Sequence, residues 1–140
     1  MAVVPFSPRA AAAAKIDPIA ATWGGLAGAI GLMVGAGRDW PARLLALAIA
    51  FGLAGFLAGV RAMGRRIAHG FAAFAVAYAI HAAFIALANV IDMFGGPVAP
   101  ALLAGGGSAW LRALGASLAF ALIGAVLANR WLAPPGGRRR

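Results

Sequence analysis

Few side chains in this sequence have the chemistry to do work, and they are thinly spread. The acids are Asp17, Asp39 and Asp92, the histidines are His69 and His81, the one tyrosine is Tyr78, and cysteine is absent. Lacking cysteine, the chain has no thiol nucleophile, no thiolate metal site and no disulfide to report a redox compartment. Three acids and two histidines in 140 residues leave little with which to build a catalytic or metal constellation. The expectation is a protein that is not an enzyme and carries no metal and no cofactor.

One group does have suggestive spacing. Tyr78 stands three residues before His81, on the adjacent helical turn. Asp92 follows His81 by eleven residues, a rotation of about 20° at 3.6 residues per turn, so the two share a stripe. Such a stripe suits a path for protons or ions from Asp92 to a titrating His81, extended by Tyr78. The alternative is a neutral His81 bonded to a neighbouring hydroxyl or carbonyl, with Asp92 paired to Arg112 or Arg43. A lone intramembrane histidine is also a possible haem ligand, but the second candidate, His69, would lie about 18 Å away along a helix. Haem is therefore not expected.

The elements that must hold these residues are set by composition. The chain is 64% hydrophobic and 11% charged, against roughly 45–50% and about 25% in an average globular chain. It is an integral membrane protein by this measure. The 39 alanines, 20 glycines and 11 arginines against one lysine suggest a GC-rich bacterial genome, so part of the small-residue excess is codon bias. The net charge of +9 lies in short loops and tails instead of one stripe, which argues against nucleic acid as a partner.

Four segments meet the requirement of about 20 mostly apolar residues: about 19–36, 42–60, 71–91 and 110–131. They predict an all-α, four-helix membrane bundle over residues 17–133, preceded by an arm (1–16) and followed by a basic tail (134–140). Asp17 is placed as an N-cap with Pro18 at the first helical position, and Pro41 opens the second span. The first apolar run exceeds the roughly 7–15 residues of a signal-peptide core, so it is expected to be retained.

Loop charges set the expected orientation. Arg9, Lys15, Arg61, Arg65, Arg66, Arg130, Arg138, Arg139 and Arg140 fall on one side, and Arg38, Arg43 and Arg112 on the other. The more basic side faces the cytoplasm, which places both termini there, in a bacterial inner membrane. Trp23, Trp40, Trp110 and Trp131 fall at span ends, where indole rings favour the headgroup zone. The basic loop and tail are expected to meet anionic lipid. The segment from Gly95 to Ala109, rich in glycine and proline, is read as a flexible connection or a cap on the bundle.

Small residues recur in three- and four-residue steps on every span, the spacing that lets helices approach closely in lipid. The seams are Gly24, Gly28, Gly31 and Gly35; Ala48, Gly52, Gly55, Gly59 and Ala62; Ala72, Ala75, Ala79, Ala82 and Ala86; and Ser117, Ala121, Gly124 and Ala128. They serve either packing within one chain or, on the Gly24/Gly28 or Gly55/Gly59 face, contact with a second copy or a larger membrane complex. Phe51, Leu53, Gly55 and Arg61 also recur at one constant offset as Phe120, Leu122, Gly124 and Arg130, a faint internal repeat.

The stretch Gly55-Phe56-Leu57-Ala58-Gly59-Val60-Arg61-Ala62, followed by Ile67-Ala68-His69-Gly70 and a further span, resembles small four-helix bacterial membrane proteins of unknown function. The resemblance implies an inner-membrane bundle in which His69 and Gly70, at the start of the third span, mark any shared role. Taken together, the seams and the scarcity of reactive groups lead to the expectation of an accessory or scaffold subunit acting through helix contacts. The competing expectation is a small channel or transporter for protons, ions or a small solute.

Overall fold

The computed structural model describes residues 16–62, 65–93 and 107–132. They form four helices: α1 (Pro18–Gly35), α2 (Trp40–Arg61), α3 (Arg66–Met93) and α4 (Gly107–Trp131). All four are long and apolar enough to cross a membrane, and the chain is an integral membrane four-helix bundle. Residues 1–15 of the expected arm, the tail and residues 95–106 of the expected Gly95–Ala109 connection lie outside the described residues, whereas Gly107, Ser108 and Ala109 open α4 ahead of the expected start at 110.

Local chemistry fixes where the helices begin and end. Asp17 caps α1, its carboxylate accepting from the Ile19 N–H at 2.9 Å, and Pro18 takes the first helical position without wasting a donor. The turn into α2 needs the left-handed conformation of Gly37, at φ 70°. Arg65, at φ 43°, supplies a second left-handed residue just before α3. At 28 residues, α3 is about 42 Å long, more than the ~30 Å hydrocarbon layer, so it tilts or projects beyond it.

The helices run up, down, up and down, with α1 and α4 each packed on both α2 and α3, and with α2 and α3 also in contact. In lipid no hydrophobic drive pulls helices together, so close backbone approach must supply the contact energy. Here it does so by glycine. A Cβ at Gly55 would run into the Ala121 carbonyl, and one at Gly124 into the Gly52 carbonyl. These two contacts exchange equivalent positions, because Gly55 corresponds to Gly124 and Gly52 to Ala121 at the offset of the internal repeat. On α1, Gly24 abuts the Ala54 carbonyl of α2, while Gly25 and Gly28 abut Val76 and Ala77 of α3.

The seams of α1, α2 and α4 are thus largely consumed inside the chain. Gly24, Gly28, Gly31, Gly35, Gly55, Gly59, Ala62, Ser117, Ala121, Gly124 and Ala128 are buried, whereas Ala48 and Gly52 are half-buried. Gly52 leaves its Cβ position open to a groove of about 450 Å³ between α2 and α4, whose walls include Ile49, Phe56, Phe120 and Ile123.

The third seam requires correction. Ala75, Ala79, Ala82 and Ala86 are exposed and Ala72 is half-buried; the buried line of α3 is instead His69, Ala73, Ala77 and His81. With alanine on every side of α3, size does not distinguish its faces, and the two histidines, costly against lipid, decide the rotation. His69, expected in the basic loop, lies in the first turn of α3, which starts at Arg66, ahead of the expected 71.

Glycine positions separate cleanly into closed and open ones. Gly55→Ala and Gly124→Ala are each expected to cost about 1–3 kcal/mol as overpacking substitutions. Gly115→Ala and Gly52→Ala, whose added Cβ meets nothing within 4 Å, should be neutral or stabilising by up to ~1 kcal/mol. Denaturant unfolding in mixed micelles measures all four.

Candidate intramembrane polar site

The buried polar side chains of the described residues are Arg43, His69, His81 and Ser117. Three of them, with Tyr78 and Trp110, gather in the half of the bundle nearer the α1–α2 turn. Glycine contacts dominate the other half. Large apolar side chains mark the boundary, with Phe51 fully enclosed and its ring against the open edge of Gly28. Phe51 stacks at 6.1 Å from Phe74 and 6.0 Å from Tyr78.

Tyr78 lies 4.9 Å from Phe74, ring centre to centre, which leaves its hydroxyl as the polar tip of an aromatic cluster. Ser117, on α4, donates to the Ala113 carbonyl one turn back at 2.6 Å. Its proton being spent there, the 3.2 Å contact to Tyr78 is one in which the tyrosine donates and the serine accepts. This chain of two bonds ties α3 to α4 and ends on backbone.

Closer to the α1–α2 turn, Trp110 forms the centre of a stack. The His81 ring lies 5.7 Å from the Trp110 ring, and the Arg43 guanidinium carbon lies 5.9 Å from the indole ring centre. Arg43 is only 7% exposed and His81 only 2%. Arg43 also presses its Cγ towards Gly35, whose missing side chain makes room for the arginine stem. The stack therefore draws on α2, α3 and α4, while α1 contributes space. His81 Nδ1 is buried and has no hydrogen-bond partner.

Of the expected path, Tyr78 and His81 both face the interior, but they are not bonded to each other, because the tyrosine hydroxyl is directed to Ser117. Asp92 falls in the last turn of α3, and its side chain lies outside the described residues. Arg112 is exposed, with its guanidinium 5.2 Å from the Trp40 ring. By sequence Arg43 counts among the loop charges and Trp110 among the interfacial rings. A signal for Arg43 was present: it stands four residues before Leu47 and eight before Phe51, on the buried stripe of α2. Among the described residues no group of three or more His, Cys, Asp or Glu is placed to hold a metal.

Comparison with protein-family models, with curated proteins and with solved structures gives no match.

The Tyr78–Ser117 bond makes a measurable claim. Side-chain hydrogen bonds between membrane helices contribute on average about 0.6 kcal/mol by double-mutant cycle. The cycle Tyr78→Phe, Ser117→Ala and the double variant should return a coupling of that order. A coupling indistinguishable from zero would mean the two hydroxyls do not act on each other.

Proposed function

We propose that this chain is a small multi-pass membrane protein whose working element is the polar stack of Arg43, His81 and Trp110, handling a proton or a small ionisable solute. The observation that carries the reading is the buried, unpartnered Nδ1 of His81. An unsatisfied buried polar group costs about 1–3 kcal/mol, and an ionisable residue within the membrane is by default a functional one. Arg43 lies in the same stack, its guanidinium carbon 5.9 Å from the centre of the Trp110 ring. A protein that needed only to pack would fill this position with leucine.

The charge count orients the bundle, with both termini and the α2–α3 turn in the cytoplasm and the polar stack in the outer half of a bacterial inner membrane. The likeness of the Gly55 to Gly70 stretch to small inner-membrane bundles supports the same location. Arg61, Arg65, Arg66 and Arg130 then lie where anionic headgroups are available. Between the stack and the cytoplasm stand the buried alanines Ala54, Ala58, Ala73, Ala77 and Ala125, with buried His69 at the cytoplasmic end. This conformation accordingly corresponds to a site closed on its inner side. Transport would require the glycine contacts to part.

A second reading, an accessory or scaffold subunit, rests chiefly on α3, because most of the glycine seam positions are occupied within the chain. From Ala82 to Ile91 that helix buries only Ala88, and Ala82, Ala86 and Asn89 lie exposed. Substitution of Ala82 and Ala86 by leucine would disturb a complex built on that face and leave the polar stack intact.

Proteoliposomes under an imposed proton gradient separate the readings. Proton or ion flux above that of empty vesicles, lost in His81→Ala and retained in Tyr78→Phe, is the result expected of the polar stack. Vesicles no leakier than empty ones, for protons and common ions alike, would leave the scaffold reading ahead. Reporter fusions after residues 64, 97 and 140 should read cytoplasmic, external and cytoplasmic; an external C-terminus would reverse the orientation.

A further inference from the structure

The second histidine is the chemical opposite of the first. His69 is 2% exposed, at the end of the bundle away from the polar stack, and both its ring nitrogens are engaged. Nε2 accepts from the backbone N–H of Asp17 at 2.8 Å, a contact that spans 52 positions of sequence. Nδ1 stands 3.1 Å from the Arg65 carbonyl, which also receives the His69 backbone N–H at 3.1 Å. A carbonyl cannot donate, so Nδ1 carries the proton and Nε2 the lone pair. Only the neutral Nδ1–H tautomer satisfies both bonds.

The ring thereby joins the residue before α1 to the residue before α3. Asp17 caps α1 through its side chain while its own backbone N–H is held by His69. Arg65, in the left-handed conformation, turns its carbonyl towards the same ring. The next residue, Gly70, sits against Ala121 and Ala125 of α4, which leaves α3 no freedom to withdraw. The movable partner is the start of α1.

We propose that His69 is an acid-operated latch on the start of α1. A proton added at Nε2 removes the lone pair and sets two N–H donors against each other at the Asp17 contact. The latch is closed with neutral His69 and opens as pH falls. The groups around it set the outcome: Asp17 from α1, Arg65 and Arg66 from the start of α3, Arg61 in the last turn of α2 and Arg130 in the last turn of α4. Arg66 is engaged with Asn129 of α4 at 3.0 Å. Asp17 is the one acid among these groups. Its carboxylate already accepts from the Ile19 N–H, so an ion pair with the new N–H competes with the N-cap of α1. This inference is independent of the role assigned to the polar stack.

The absence of native cysteine permits a clean distance measurement. Spin labels are placed through Ile16→Cys and Ile123→Cys, both exposed positions, and the protein is held in lipid nanodiscs at about pH 8 and about pH 5, spanning the range in which histidine changes charge. The expected result is a narrow distance distribution at the higher pH that broadens to longer distances at the lower. The same label pair with His69→Gln, an acceptor that does not titrate, should lose that response. An unchanged distribution in the His69 protein overturns the proposal by itself. An equal broadening in His69→Gln overturns it as well, because the response would then belong to another group.

Discussion

The contact on which this bundle depends is backbone against backbone, where Gly55 meets the Ala121 carbonyl and Gly124 meets the Gly52 carbonyl. Lipid chains are as apolar as leucine, so burying leucine between membrane helices gains little, and dispersion over closely approached backbones must do the work. The reciprocity of the two contacts means that neither helix can shift along the other without pressing a Cβ or carbonyl into its neighbour. Once α2 and α4 are locked in this way, α3 is fixed by Gly70 against Ala121 and Ala125, and α1 by Gly24 against Ala54 and Ala73. A single close crossing thereby sets the spacing of the whole structure.

That crossing also dictates where polarity is allowed. In the half of the bundle where glycine and alanine meet, the buried positions Ala54, Ala58, Ala125 and Ala128 carry only a methyl group, and the large polar side chain enclosed there among the described residues is His69. Room opens at the level of Leu47 and Phe51, and the polar residues follow beyond it. Arg43, His81 and Trp110 are thus a consequence of the packing gradient as much as an addition to it. The stack needs volume, and the glycines concentrate the available volume at one end.

The fold was legible because its signals are long and redundant: four apolar runs, proline and aspartate at helix starts, and glycine steps on α1 and α2. The rotation of α3 was not legible, since Ala72, Ala75, Ala79, Ala82 and Ala86 repeat as well as Ala73 and Ala77 do, and side-chain size cannot choose between two alanine faces. The better guide is the cost of burying polarity: His69 and His81 are twelve residues apart, three four-residue steps, and a helix that hides both must bury Ala73 and Ala77 between them. Part of the polar site was hidden for a related reason. Arg43 read as a loop charge because positive residues near span ends usually set topology, and only its four-residue relation to Leu47 marked it as interior.

The two ends of that buried stripe on α3 show how one residue type is given opposite properties by its surroundings. At His69 a backbone donor from Asp17 and a backbone acceptor from Arg65 take up the ring completely, and the chain uses imidazole as a fitted connector between two helix starts. At His81 the same ring lies tilted beside the Trp110 ring with Nδ1 unpartnered. The difference comes from the backbone on offer. His69 lies beside two helix N-termini, where the Asp17 N–H is not claimed by a helical bond and the Arg65 carbonyl takes the ring as well as the first N–H bond of the helix. His81 lies mid-helix, where the backbone groups nearby are committed to the α-helical ladder and only side chains remain to answer it. The Tyr78 hydroxyl is the nearest such group along the helix, and Ser117 has already taken it. With the tyrosine bonded to Ser117, the buried Nδ1 of His81 is left without a hydrogen-bond partner among the described residues.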